Sequence, residues 1–176
     1  MLFILLSLLS SSTYWYLDHY CKYDNLKVFF KMMALLTLLD QENMIYNSIL
    51  LSYSIGDVVL NYNEKYSIVF FGMGHLIFVM KMLYAKLTLG LIVCSPIISA
   101  SSALFYKILR KKNISYFYYI TILHLLLITS LVHDYYGQIL FILSDLSIGL
   151  KIKETEKFEW GLYYLSVLYM RMWFLE

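Results

Sequence analysis

Apolar runs of about 15–20 residues follow one another along the chain, and a short polar break ends each of them. A helix of that length crosses the hydrocarbon core of a bilayer, and backbone groups in lipid favour helices because they must be satisfied within each segment. The breaks define eight predicted helices, at 2–17, 26–40, 44–62, 66–84, 87–109, 114–132, 135–150 and 158–175. We therefore predict an all-α, polytopic membrane bundle of about eight transmembrane helices.

The composition of the chain also favours a membrane protein. Of its 176 residues, 61% are hydrophobic and 15% are charged, whereas soluble domains average about 45–50% apolar and about 25% charged residues. The connections between predicted helices are short, so we predict a single integral membrane domain over residues 1–176. The first apolar run lacks a basic leading segment and a clear cleavage site, so we interpret it as an uncleaved first span.

Basic residues are distributed unevenly between the two sides of the predicted bundle. Eleven of the 14 Lys and Arg residues fall on the side of the first loop, here called side B, and three on the opposite side A. Because cytoplasmic loops carry the excess of Lys and Arg, side B is predicted to be cytoplasmic. We expect a multi-pass protein of the endoplasmic reticulum membrane in a eukaryote, or of the inner membrane in a bacterium. The basic residues form no single patch, which argues against a nucleic-acid partner.

Two carboxylates, Asp57 and Asp145, interrupt the apolar runs at matching places. Each lies about five residues from the side-B end of its predicted helix, which at 1.5 Å per residue places both about 7–8 Å inside the boundary. A charged group at the centre of a membrane helix costs about 2.5–3.5 kcal/mol. Such a group is expected to face the bundle interior, to pair or to take a proton, so we predict that the two acids share one pocket.

Other polar residues fall near the same level of the predicted bundle. Lys31 and the pair Tyr163 and Tyr164 lie early in helices that start at side B, Ser144 precedes the second acid, and His75 lies in the middle of its helix. When two acids share a site, their pKa values move apart, so that one can stay protonated while the other is ionised. The protonated one can then act as general acid and the ionised one as general base. We therefore predict catalysis by the acids and substrate binding by these five residues.

Three alternatives remain open for these residues. An acid paired with Lys31 would only hold helices together. Asp57, Asp145 and His75 could ligate a metal, although no HxxxH or HExxH pattern occurs and we predict no metal and no cofactor. A carrier could use the acids as a proton relay, although the helices lack the paired breaks of many carriers.

Five short motifs carry the polar residues in a fixed order. FKMMALL contains Lys31, SIGD ends at Asp57, and GHLIF contains His75. GQILFILSD ends at Asp145, and the last predicted helix contains the pair Tyr163–Tyr164.

The order of these motifs resembles the YhhN-like lysoplasmalogenase family, which has about eight membrane helices. That family usually shows Lys-Pro, Ser-x-x-Gly-Asp, a small residue with His-x-x-Tyr, Gly-x-x-x-Phe-x-x-Ser-Asp, and Tyr-Tyr followed by Ala-Gln. The fourth motif is matched in full by GQILFILSD. The chain departs at three places, with Met32 for the proline, Phe78 for the tyrosine and Val167 for the glutamine.

The resemblance implies hydrolysis of the vinyl ether bond of lysoplasmalogens. The products would be a fatty aldehyde and glycerophosphocholine or glycerophosphoethanolamine. Asp57 and Asp145 would be general acid and base, and Lys31 would hold the lipid phosphate. The partners expected are a lysophospholipid substrate and the lipid bilayer. Hydrolysis of another lysolipid or amide lipid bond, or lipid binding or transport without catalysis, are the alternatives.

Overall fold

The computed structural model describes residues 2–21, 24–40, 42–85, 114–132, 136–150 and 156–175. Over these ranges the chain forms seven α-helices and no strand. They are α1 (Leu2–Tyr20), α2 (Asp24–Leu36), α3 (Met44–Leu60), α4 (Glu64–Ala85), α5 (Ile114–Val132), α6 (Gly137–Leu150) and α7 (Glu156–Leu175). The predicted all-α class is confirmed. The helix predicted at 87–109 lies outside the described residues.

Asparagine side chains set where two of the helices begin. Asn43 precedes α3, and its side-chain oxygen accepts a hydrogen bond from the backbone N–H of Tyr46 at 3.0 Å. Asn63 precedes α4 and accepts in the same way from the N–H groups of Lys65 and Tyr66, at 3.1 and 3.3 Å. The first backbone N–H groups of a helix have no partner within the helix, so these side chains stabilise both starts.

Helix α2 ends at Leu36, four residues before its predicted end. The chain that follows makes a local hydrogen-bonded loop, in which the Asp40 carboxylate accepts from the N–H groups of Glu42 and Asn43 at 2.9 and 3.2 Å. The Asp40 N–H donates to the side chain of Asn47 at 2.9 Å. Asp and Asn side chains compete in this way with helical hydrogen bonds, which explains the early end.

The described helices pack in a closed order. Each helix from α1 to α7 contacts its neighbour in this numbering, and α7 returns to contact α1. The interior between them is filled by large side chains, among which Tyr46, Tyr53, Phe78 and Phe141 are fully buried. Side chains that point inward from several helices therefore meet in the centre of the bundle.

The outer surface of the bundle is strongly apolar. On α1 the side chains of Leu2 and Leu9 are 65% and 58% exposed, and Phe3 and Leu5 are exposed to a similar extent. By length and composition, one described helix could cross a membrane, namely Glu64–Tyr84 with a mean hydropathy of 1.6. One such helix is weak evidence, since a core helix of a soluble protein passes the same test. Met44–Leu60 and Ile120–Leu131 are apolar but shorter.

Candidate active site

A cavity of about 220 Å³ lies where α1, α3 and α6 end and α7 begins. Its lining contains four carboxylates and one lysine, which are Asp18, Asp57, Asp145, Glu159 and Lys31. Both acids that the sequence singles out therefore face the same space. Asp57 lies three residues before the end of α3, somewhat closer to the end than the longer predicted helix placed it.

Donors from two helices hold the Asp57 carboxylate, which is 2% exposed. Its Oδ1 lies 2.6 Å from Nζ of Lys31 on α2. Its Oδ2 accepts a hydrogen bond of 3.0 Å from the hydroxyl of Tyr163 on α7. Burying a charge is costly unless it is paired and hydrogen-bonded, and both conditions are met here. The ion pair proposed as a purely structural alternative is thus present for this acid.

Aromatic rings surround the Lys31 ammonium. Its Nζ lies 5.5 Å from the ring centroid of Tyr14, 5.2 Å from that of Trp160 and 5.9 Å from that of Tyr163. A cation within about 6 Å of an aromatic face is attracted by the ring quadrupole. The three rings and Asp57 together fix the ammonium in the cavity wall.

Asp145 is held differently from Asp57. Its side chain is 13% exposed and lines the cavity, and its Oδ2 lies 3.9 Å from Nε2 of His75 on α4. That contact is an ion pair if His75 is protonated. His75 itself is fully buried behind Asp145, and its Nδ1 lies 2.9 Å from the hydroxyl of Tyr53.

Two glycines let aromatic rings approach these residues. A Cβ atom at Gly56, next to Asp57, would lie 3.1 Å from the ring of Phe71. A Cβ atom at Gly74, next to His75, would overlap the ring of Tyr53. Small residues allow close approach of packed membrane helices, and here they let α3 and α4 pack around the site.

The remaining predicted site residues have different places. Ser144 lines the cavity, and its hydroxyl donates at 2.9 Å to the backbone carbonyl of Glu159, which ties α6 to α7. Tyr164 is absent from the cavity lining and bonds to Ser7 on α1 at 2.5 Å. Ser7 in turn donates to the carbonyl of Ala34 on α2. The structure thus brings Asp57, Asp145, Lys31, Tyr163 and Ser144 to one cavity, with His75 behind it and Tyr164 apart.

Several cavity residues are missing from the sequence-based set. Tyr14 and Asp18 lie four residues apart on α1, and Glu159 and Trp160 lie at the start of α7. Residues four apart share a helix face, so the spacing of Tyr14 and Asp18 in the sequence could have indicated that they face the same space. The second pair lay in the predicted helix 158–175 but was not singled out. Tyr53, which contacts His75, had no signal of its own among many tyrosines.

Within the described ranges, no group of three or more His, Cys, Asp or Glu side chains is arranged to hold a metal ion. What the cavity offers instead is a pair of carboxylates in different surroundings. Asp57 accepts hydrogen bonds at both oxygens, and Asp145 is more open to the cavity. Two acids in unlike environments are the arrangement that general acid–base catalysis uses.

Comparisons with known proteins gave no match, whether with models of protein families, with curated proteins or with solved structures.

Proposed function

We propose that this protein is a multi-pass membrane hydrolase that cleaves the vinyl ether bond of lysoplasmalogens. The observation that carries the proposal is the single cavity lined by both Asp57 and Asp145, with Lys31 in its wall. The order of motifs, which resembles the YhhN-like lysoplasmalogenase family, supports the same substrate class. The products are a fatty aldehyde and glycerophosphocholine or glycerophosphoethanolamine.

The exposed apolar surface supports a membrane location. Contiguous exposed apolar patches on soluble proteins rarely exceed a few hundred Å², yet α1 exposes nearly every apolar side chain over its first two turns. Helix α4 adds Met73, Met80 and Tyr84, which are also exposed. Lipid chains would cover these side chains, as a bundle of about eight membrane spans requires.

The surroundings of the two acids support different roles for them. An ionised carboxylate accepts hydrogen bonds at both oxygens, whereas a carboxylic acid must donate with one of them. Both oxygens of Asp57 face donors, on Lys31 and Tyr163, so Asp57 is the ionised partner. Asp145 faces the cavity and carries the proton that the reaction needs.

The reaction then has three balanced steps. Asp145 donates its proton to the β-carbon of the vinyl ether, which becomes an oxocarbenium ion steadied by the Asp57 carboxylate. A water molecule adds to the cation and loses a proton to Asp57, giving a hemiacetal. As the hemiacetal collapses, Asp57 passes that proton to the glycerol oxygen, and the hemiacetal hydroxyl gives its proton to Asp145. The hemiacetal collapses to the aldehyde and the free glycerol hydroxyl, so that one water is consumed and the acid is restored.

Lys31 is the one cation among the described residues that line the cavity. A lysine ammonium acts on phosphate as a point charge. We therefore assign it to the phosphate of the headgroup, with part of its charge offset by Asp57. The chain of the lipid would lie along the apolar outer surface, because the cavity is small.

The decisive experiment is aldehyde release by the purified protein in detergent. The substrates are a lysoplasmalogen and its saturated alkyl-ether analogue, each with and without a chelator. We expect aldehyde from the vinyl ether alone, unaffected by the chelator. Folded protein that releases no aldehyde would overturn the proposal, and chelator sensitivity would point to a metal-dependent reaction on this or another lipid bond.

A second candidate function is lipid binding or transport without catalysis. The short contact between Lys31 and Asp57 favours it, because that pair alone already satisfies one buried acid. It does not account for Asp145, a second acid that lines the same cavity. Binding of an intact lysolipid, with no product and no effect of replacing Asp145, would favour this candidate.

A further inference from the structure

A buried hydrogen bond lies directly behind the candidate acid Asp145. The hydroxyl of Tyr53 on α3 is 2.9 Å from Nδ1 of His75 on α4, and both side chains are fully buried. The other ring nitrogen of His75, Nε2, faces Asp145 at 3.9 Å. Tyr53, His75 and Asp145 therefore form one line that ends in the cavity.

The hydrogen bond to one ring nitrogen controls the other. A neutral imidazole carries a hydrogen on one nitrogen and a lone pair on the other, and the partner of one nitrogen decides which is which. If the Tyr53 hydroxyl donates to Nδ1, the hydrogen of His75 must be on Nε2. That hydrogen then points toward the carboxyl group of Asp145.

Packing prevents the imidazole ring from turning away. The ring of Phe141 stands edge-on to His75, with centroids 4.3 Å apart and an angle of 84° between the planes. The ring of Tyr53 packs against the same phenylalanine, with a centroid distance of 5.0 Å. Gly74 leaves the space that Tyr53 occupies, since a Cβ atom there would overlap its ring.

We propose that Tyr53 is a positioning residue that fixes His75 with its hydrogen on Nε2, ready to donate to Asp145. The tautomer itself does not depend on the proposed function, but its contribution to catalysis does. A separation of 3.9 Å is too long for a hydrogen bond in the resting state. Once Asp145 has given its proton to the substrate, its new negative charge draws the Nε2–H group closer. A contact that strengthens as the reaction proceeds lowers the barrier.

The tautomer can be measured directly by nitrogen-15 NMR of histidine-labelled protein in detergent micelles. The chain has four histidines, and the variant His75→Asn identifies the signals of His75. We expect the wild type to carry its hydrogen on Nε2, and Tyr53→Phe to give a mixture of tautomers. A hydrogen on Nδ1 in the wild type, or an unchanged signal in Tyr53→Phe, would overturn the proposal.

Tyr46→Phe is the matched control. Tyr46 lies seven residues before Tyr53 on the same helix, is also fully buried, and its hydroxyl has no hydrogen-bond partner among the described residues. This variant removes the same atom and should leave the His75 signals unchanged. If it shifts them as much as Tyr53→Phe does, the effect is a general response of α3 and the assigned role is wrong.

Kinetics separate this inference from the proposed function. If the wild type releases aldehyde, Tyr53→Phe should lower kcat about 10-fold with little change in KM, the scale of losing a partner that orients a reacting group. Tyr46→Phe should keep the wild-type kcat. Equal kcat in Tyr53→Phe and wild type would overturn the catalytic benefit. If the wild type releases no aldehyde, the proposed function and this benefit both fail, and the NMR result still decides the tautomer.

Discussion

Asp57 and Asp145 line one cavity, but the bundle holds them by different means. Asp57 is almost fully buried, and donors from α2 and α7 reach both of its oxygens. Asp145 is several times more exposed, and its Oδ2 lies 3.9 Å from Nε2 of His75. Two short contacts therefore hold the Asp57 carboxylate, whereas the His75 ring stands 3.9 Å from Asp145.

The difference gives a physical basis for the two roles proposed for these identical side chains. A carboxylate with two close donors, Lys31 and Tyr163, is stabilised as an anion and has little reason to move. A carboxyl group that opens into the cavity can pass a proton to whatever occupies it. In the proposed mechanism the environment, rather than the residue type, separates the acid from the base.

The largest expected effect is on activity in Asp145→Asn. This change removes the proton donor, and general acid–base catalysis contributes about 10²–10⁴-fold. We expect aldehyde release to fall by that factor, while the midpoint of thermal unfolding in detergent falls less than in Asp57→Asn, because the short contacts of Asp57 with Lys31 and Tyr163 are kept. Asp57→Asn should lose activity and also unfold at a distinctly lower temperature. Equal unfolding midpoints for the two variants would contradict the conclusion that Asp57 contributes more to stability than Asp145.

The next effect is on stability and concerns the pair of Lys31 with Asp57. Removing one partner of a buried pair costs about 3–5 kcal/mol, because it leaves an uncompensated charge. We therefore expect Lys31→Met and Asp57→Asn each to destabilise the protein, and the double variant to be more stable than either. Denaturant unfolding of the four proteins in a double-mutant cycle measures the coupling. Additive losses would show that the two groups do not depend on each other.

Much of the fold follows from the sequence alone. Apolar runs bounded by polar residues leave the backbone few alternatives to helices, and all seven described helices match predicted ones to within a few residues. The end of α2 was placed too late, because Asp40 and Asn47 form a loop whose hydrogen bonds are local but specific. The sequence composition does not show whether such side chains will replace the hydrogen bonds of a helix.

The site was partly predictable for a similar reason. A helix rises by a fixed distance per residue, so the number of residues from a helix end gives the depth of a side chain. This argument predicted that Asp57, Asp145 and Lys31 lie at a similar depth. It could not decide between the adjacent Tyr163 and Tyr164, since neighbours point about 100° apart and the rotation of α7 depends on its packing. Tyr53 was missed because its importance comes only from a partner on another helix.

A smaller effect, at Gly74, tests what positions the groups behind Asp145. In Gly74→Ala the added Cβ atom would overlap the ring of Tyr53, and overpacking of this kind costs about 1–3 kcal/mol. The displaced hydroxyl would also leave His75, so we expect kcat to fall along with stability. Gly161→Ala on α7 is the control, since a Cβ atom there would meet nothing within 4 Å. Equal stability of the two variants would contradict the close packing.

The smallest expected effect is at Ser144, whose neighbour on α6 is Asp145. Its hydroxyl donates to the carbonyl of Glu159 on α7, and losing one such bond costs about 0.5–1.5 kcal/mol. We expect Ser144→Ala to reduce stability by about that amount and activity modestly, because the end of α6 that carries the acid is less firmly held. Ser147→Ala is matched to it, since that hydroxyl donates within α6, to the carbonyl of Leu143 at 3.0 Å. Should both variants behave alike in unfolding and in aldehyde release, the hydrogen bond from α6 to α7 would not be what positions Asp145.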